Sequence, residues 1–117
     1  MYKRQIQNIL RRYKKQDQIF QYQNLQVYIS QAKVFKNHQE IFLSALEYKL
    51  LLIFVQHAHH LLTREFLLEE LYQMTGEDMN DNTLTVYIKR LRNKIEDQPQ
   101  HPQIIQTKRG LGYQLGD

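Results

Sequence analysis

The sequence predicts an α+β domain with an N-terminal antiparallel sheet, three helices and a C-terminal β-hairpin. Three observations lead to this fold class. Apolar and polar side chains alternate between residues 18 and 43, as in short half-buried strands. Apolar side chains then recur at helical spacing in three segments between residues 44 and 97. Two short apolar runs near the C-terminus enclose a glycine-containing turn at residues 108–112, which indicates a hairpin.

Length and composition exclude several classes of protein. The 117 residues suffice for one domain with a hydrophobic core, and the apolar fraction of 42% and charged fraction of 24% are typical of soluble globular proteins. The sequence contains no cysteine, which excludes disulfide frameworks and thiolate metal sites. The longest apolar run, residues 50–55, is too short to span a membrane. We therefore expect a cytoplasmic domain without membrane contact, metal or cofactor.

The net charge of +4 is distributed in blocks of opposite sign. Residues 1–15 carry six cations and no anion. Residues 63–81 carry six acidic side chains against one arginine, and residues 82–95 carry four cations and no acid. A basic segment of this kind is either a solvated helix face or the footprint of a nucleic-acid partner.

We expect the chain to have two parts, namely residues 1–17 as a helix with a linker and residues 18–117 as the domain. In the first part, Ile6, Ile9 and Leu10 recur at helical spacing, and cations occupy the other faces. In the second part, breaks at residues 23–24, 30–31 and 37–38 separate three or four short strands, which fit a small antiparallel meander.

Capping residues mark the first two helices. Ser44 and Glu47 have the spacing of a capping box, in which each side chain bonds the other residue's amide. The first helix is expected to run from this box to about His57. Thr63 is a plausible cap for the second helix. Residues 74–80 contain a glycine and two acids, so we expect a loop there.

The third helix is expected over residues 81–97. Asn80 or Asp81 can cap its N-terminus, and Pro99 forbids its continuation beyond Asp97. At 100° per residue, its apolar side chains form one core stripe, which consists of Leu84, Ile88, Leu91 and Ile95.

The opposite face of this helix carries amides, cations and one small apolar side chain, namely Asn82, Val86, Lys89, Arg90 and Asn93, while Thr83, Tyr87, Arg92 and Lys94 lie on the flanks. These side chains suit base reading, because arginine and lysine bind guanine, asparagine binds adenine and a valine methyl contacts thymine. A hairpin at residues 105–115 with Lys108 and Arg109 at its tip follows this helix. This order predicts a winged helix-turn-helix, with the helix in the major groove and the hairpin, or wing, in the minor groove.

Four segments along residues 25–115 resemble a known family. Residues 43–51 are similar to the start of the first effector-domain helix in OmpR/PhoB-type response regulators, and residues 63–67 to the start of the second. Residues 83–95 resemble that family's recognition helix, and residues 105–113 resemble its wing. The resemblance implies a sequence-specific transcription factor of a two-component system.

The resemblance also implies which side chains of the third helix contact DNA. Tyr87, Lys89 and Arg90 match the family's base and phosphate contacts, whereas Arg92 and Lys94 match positions nearer the DNA backbone. We expect direct readout of bases by this helix.

Outside the third helix, Arg109 matches the wing arginine that enters the minor groove, where A·T-rich tracts concentrate negative potential. Thr107 and Tyr72 match positions that contact the DNA backbone. Asn82 stands where the family often has arginine, and Tyr72 stands where tryptophan is common. The complete set of candidate DNA-binding residues is Tyr72, Asn82, Thr83, Val86, Tyr87, Lys89, Arg90, Arg92, Asn93, Lys94, Thr107, Lys108 and Arg109.

Further partners follow from the same resemblance. Residues 1–15 look like the last helix of a receiver domain, so we expect a fragment whose receiver, the target of a sensor histidine kinase, is missing. The loop 74–80 corresponds to a segment that contacts RNA polymerase in the family. Family members place two effector domains head-to-tail on DNA, which implies a dimer on direct-repeat half-sites.

Two other functions compete with this interpretation. A winged helix can also serve as a module for protein or RNA contacts, which predicts weak and sequence-blind nucleic-acid binding. An enzyme is the weakest candidate, since no catalytic Ser/His/Asp set, carboxylate pair or phosphate loop occurs at a meaningful spacing.

Overall fold

A four-stranded antiparallel meander opens the part of the chain that the structure describes. The structure is a computed structural model and describes residues 18–117, so the helix and linker expected over residues 1–17 lie outside the described residues. The strands are β1 (Ile19–Tyr22), β2 (Leu25–Tyr28), β3 (Lys33–Lys36) and β4 (Gln39–Ile41), and each pairs with the next. The division of the chain at residue 18 stays a prediction.

Tight turns set the register of this sheet. Asn37 and His38 both have positive φ, at 53° and 65°, and form a two-residue connection between β3 and β4. In the middle of the sheet Val27 lies opposite Val34. Both of these valines are buried, which places one face of the meander on the core.

The first two helices begin at the expected caps. In α1 (Ala45–Gln56), the Glu47 amide donates to Ser44 Oγ at 3.1 Å, and the Ser44 amide donates to Glu47 Oε1 at 2.9 Å, which completes the capping box. In α2 (Arg64–Thr75), the Phe66 amide donates to the hydroxyl of the cap Thr63 at 3.0 Å.

The predicted loop over residues 74–80 is wrong at its start, because Met74 and Thr75 still belong to α2. The helix continues through Thr75 and ends at Gly76, whose φ of 74° is left-handed. A glycine at this position tolerates the left-handed conformation that closes a helix. The loop between α2 and α3 is therefore shorter than the sequence suggested.

The third helix, α3 (Asp81–Ile95), begins at the cap Asn80, whose side chain accepts from the Thr83 amide at 2.8 Å. It ends two residues before the expected Asp97. Glu96 leaves the helical conformation with ψ of 142°, and its buried carboxylate accepts from three backbone amides, those of Gln103, Ile104 and Ile105. This carboxylate stops the helix before Pro99 is reached.

The C-terminal hairpin consists of β5 (Ile105–Lys108) and β6 (Gly112–Leu115). It is joined to the connection between α1 and α2, since Leu62 and Tyr113 exchange two backbone hydrogen bonds of 2.8 and 2.9 Å. With this hairpin, the described residues confirm the predicted α+β fold of sheet, three helices and wing.

Buried side chains from every helix, from the sheet and from the wing form one core, with Phe54 as its largest fully buried member. A charged pair borders it. Glu47 is 4% exposed, and its Oε1 accepts from Lys94 Nζ at 2.6 Å, which joins the start of α1 to the last turn of α3. Burial alone would raise the pKa of Glu47, but the bonds from Lys94 and Ser44 outweigh it and lower the pKa.

No helix within residues 18–117 is long and apolar enough to cross a membrane.

Two glycines of the wing provide a matched test of its placement. A Cβ at Gly112 would lie 2.0 Å from the backbone oxygen of Leu62, whereas a Cβ at Gly110 would meet nothing within 4 Å. Both residues have positive φ, 75° at Gly110 and 152° at Gly112, so alanine is strained at either position. We expect Gly112→Ala to lower the free energy of unfolding by about 1 to 3 kcal/mol more than Gly110→Ala does. Urea unfolding measures both, and equal losses would contradict the close approach to Leu62.

Candidate nucleic-acid interface

The exposed face of α3 is the centre of the candidate site. The four apolar side chains of its core stripe are at most 2% exposed. The opposite face is open to solvent, and even the apolar Val86 there is 45% exposed. The structure thus brings together the five side chains that helical spacing placed on one face, namely Asn82, Val86, Lys89, Arg90 and Asn93.

The side chain of Arg90 has a fixed neighbour on this face. Its guanidinium carbon lies 5.1 Å from the ring centroid of Tyr87, one helical turn earlier, which is a cation–π geometry. Tyr87 and Thr83 are half-buried along the flank of the helix. This contact limits the directions in which Arg90 can extend.

Arg92 uses its guanidinium mainly within the chain. Its Nε and Nη2 donate to the backbone oxygen of Ile105 at 3.0 and 2.8 Å, and Nη2 also donates to Thr107 Oγ1 at 2.8 Å. Burial lowers the pKa of Arg92, while Tyr113 and Glu96 act in the opposite direction. Arg92 was predicted to lie near the DNA backbone, and the structure places its guanidinium against the wing.

Lys94, the other flank cation, also has an internal partner. Its ammonium group donates to the buried Glu47 carboxylate and forms an ion pair with this residue of the α1 capping box. Lys94 lies on the last turn of α3, where a cation also interacts favourably with the helix dipole. Both contacts favour a structural role for this side chain.

The tip of the wing presents its cations to solvent. Arg109 is exposed, and Lys108 is half-buried with its ammonium group 3.3 Å from the side-chain oxygen of Gln106. Leu111 at the same tip is 62% exposed. Thr107 lies in the adjoining strand, where its hydroxyl accepts from Arg92. The wing thus carries an exposed cationic end beside an apolar side chain.

Tyr72, the remaining predicted contact residue, lies on α2 and is 43% exposed.

Sequence reasoning missed Arg64, which connects three elements. Its Nη1 donates to the hydroxyl of Tyr113 at 2.8 Å, and its Nη2 donates at 2.7 Å to both the backbone oxygen of Asp81 and Thr85 Oγ1. Burial alone would lower the pKa of Arg64, but the bonds to Asp81 and Tyr113 raise it. No local motif could have revealed this role, since Tyr113 lies 49 residues further along the chain.

Five acidic side chains precede α3, on α2 and in the loop that follows it. Glu65, Glu69 and Glu70 belong to α2, and Glu77 and Asp78 are exposed in the loop that follows it. Within residues 18–117, histidine and acidic side chains nowhere form a group of three that could hold a metal ion. The exposed face of α3 and the tip of the wing offer cations and amides beside the apolar Val86 and Leu111.

Comparison with known proteins agrees with this geometry. Residues 38–115 match the family described as "Transcriptional regulatory protein, C terminal". The alkaline phosphatase synthesis transcriptional regulatory protein SphR of Synechococcus elongatus is 34% identical over 99 residues, which are 84% of this chain. The chain spans only 38% of the length of SphR.

Two solved structures share the fold. The response regulator DrrB of Thermotoga maritima, an OmpR/PhoB homolog, aligns with a TM-score of 0.77 at 29% identity over 85% of this chain and 44% of DrrB. The DNA-binding domain of RstA from Klebsiella pneumoniae, solved in complex with the RstA box, aligns with a TM-score of 0.73 at 26% identity over 84% of this chain and 96% of that domain. The chain therefore belongs to the C-terminal family of transcriptional regulatory proteins, the winged-helix effector domains of OmpR/PhoB-type response regulators.

Proposed function

We propose that this domain binds double-stranded DNA in a sequence-specific manner and thereby controls transcription. The observation that carries the proposal is the division of α3 into a fully buried apolar stripe and an exposed face of cations, amides and Val86. An α-helix fits the major groove, where each base pair presents a distinct pattern of donors, acceptors and methyl groups. The side chains on the exposed face match those patterns.

The wing extends the proposed interface into the neighbouring minor groove. Arg109 is exposed at its tip, and a guanidinium is attracted to the negative potential of narrow A·T tracts. The relation to the RstA DNA-binding domain, which was solved in complex with the RstA box, supports DNA binding by this domain. The alternative function is binding of protein or RNA. Enzymatic activity is not proposed, because the family consists of transcriptional regulators.

The proposed direct readout makes Arg90 the first residue to substitute. On a site selected from random DNA, Arg90→Ala should weaken binding by about 1 to 3 kcal/mol and relax the base preference at one position. Fluorescence anisotropy on matched and mismatched duplexes, over a range of salt concentrations, measures both effects. Lys33→Ala, which removes an exposed cation from β3, serves as the control and should change neither.

An equal loss on selected and random DNA would assign Arg90 to a phosphate contact. A wild-type domain without base preference, with a salt dependence near zero, would instead favour the protein-interaction alternative, because several phosphate contacts produce a steep dependence of affinity on salt.

We further propose that two copies of the domain bind direct-repeat half-sites head-to-tail. The contact between such copies is heterologous, so the second copy repeats the orientation of the first. Cooperative binding should be strongest when the half-sites are about 10–11 base pairs apart, since both copies then lie on one face of the duplex. Gel-shift titrations on spaced sites test this, and cooperativity that survives a shift of about 5 base pairs would contradict it.

We propose RNA polymerase as a second partner, through the loop between α2 and α3. Glu77 and Asp78 are exposed there, and the side chain that caps α3 is that of Asn80. Replacement of both by their amides, Glu77→Gln and Asp78→Asn, should reduce stimulated transcription in vitro at equal operator occupancy, which footprinting monitors. Unchanged transcription would exclude this loop as the contact.

In the longer relatives this domain is only part of the protein, and SphR is named a transcriptional regulatory protein as a whole. We propose that the domain acts downstream of a receiver domain that a sensor histidine kinase phosphorylates.

A further inference from the structure

We infer that Arg92 is a positioning residue, which determines DNA selectivity by holding the wing at a fixed place relative to α3. The inference rests on the proposed function, because it concerns the arginine that the wing would place in the minor groove. This role differs from the contact with the DNA backbone that the position of Arg92 on α3 suggested.

The hydrogen bonds of the Arg92 side chain go to the wing. One guanidinium edge binds the Ile105 oxygen twice, at 3.0 and 2.8 Å, and the same Nη2 reaches Thr107 Oγ1 at 2.8 Å. The guanidinium carbon also lies 5.5 Å from the ring centroid of Tyr113 on β6. A rigid planar fork with this many partners fixes direction as well as distance.

These contacts reach both strands of the hairpin, at Ile105 at the base of β5, at Thr107 nearer the tip and at the Tyr113 ring on β6. Thr107 precedes Arg109 by two residues, and Thr107 pairs with Tyr113 across the hairpin. A groove of about 360 Å³, with Ile88, Lys89 and Asn93 on its α3 side and Tyr113 on its wing side, separates the two elements beside Arg92. The Arg92 side chain lines this groove and bonds β5 beside it.

The other end of α3 is tied to the same tyrosine. Arg64 joins the Tyr113 hydroxyl to Asp81 and Thr85, in the first two turns of α3. The wing is thereby fixed to α3 at two places. A tip that must enter a minor groove only about 6 Å wide depends on this fixed position.

A double-mutant cycle tests the role of Arg92. Arg92→Lys keeps the charge but replaces the planar fork by a single ammonium group, so a simple phosphate contact would largely persist. Affinities are measured for the wild type, Arg92→Lys, Arg109→Ala and the double variant, on one selected site flanked by either A·T or G·C tracts. Arg90→Lys is the matched control, because it makes the same substitution on the exposed face of α3.

If Arg92 acts through the wing, Arg92→Lys should reduce the preference for A·T flanks about threefold or more, and this effect should vanish in the Arg109→Ala background. Arg90→Lys should act additively with Arg109→Ala. Additive losses for Arg92→Lys, with an unchanged preference between flanks, would overturn the inference and leave the proposed function intact. A wild type that lacks any base preference would instead refute the proposed function.

Hydrogen exchange of the free protein supplies a second readout that needs no DNA. In Arg92→Lys the amides of β5 and β6 should exchange several-fold faster, while those of α1 should keep the wild-type rate, since local opening reports local stability. Unchanged exchange in the wing would overturn the inference. Faster exchange throughout the domain would also overturn it, because Arg92 would then stabilise the whole fold.

Discussion

The structure depends on the contacts that two guanidinium groups make with Tyr113. Arg64 comes from α2 and Arg92 from α3, and their central carbons lie 5.8 and 5.5 Å from the tyrosine ring centroid. A two-stranded hairpin has little stability by itself. These contacts, together with the backbone bonds between Leu62 and Tyr113, make the wing a part of the helical domain.

Two buried carboxylates join elements inside the domain. The Glu47 carboxylate accepts hydrogen bonds from the Ser44 amide at the start of α1 and from Lys94. The Glu96 carboxylate at the end of α3 accepts hydrogen bonds from three backbone amides in and before the start of β5. Exposed Asp97, which pairs with Lys36 at 2.7 Å, ties the end of α3 to the N-terminal sheet, and this bond lowers the pKa of Asp97. The face of α3 is thus presented by a helix that is held at its start, its end and along its buried side.

The division of labour among the cations follows from these constraints. Lys89, Arg90 and Arg109 are exposed, whereas Arg92 and Lys94 are bonded to groups of the same chain. Charge alone therefore overstates the surface available to DNA. In the proposed complex, a phosphate or base edge contacts the exposed cations, and the bonded cations hold the wing and α1 against the helix that carries them.

The sequence by itself determined the helix caps, the meander and the exposed face of α3, because each depends on residues within a few positions of one another. Ser44 with Glu47, and Asn80 with Thr83, are three residues apart. The end of α3 depends on the Glu96 carboxylate, which accepts from amides seven to nine residues further along the chain. The roles of Arg92, Lys94 and Arg64 were decided only by the tertiary structure. Their side-chain partners lie 13 to 49 residues away, and a cation on a helical wheel carries no sign of which distant carbonyl, hydroxyl or carboxylate will bind it.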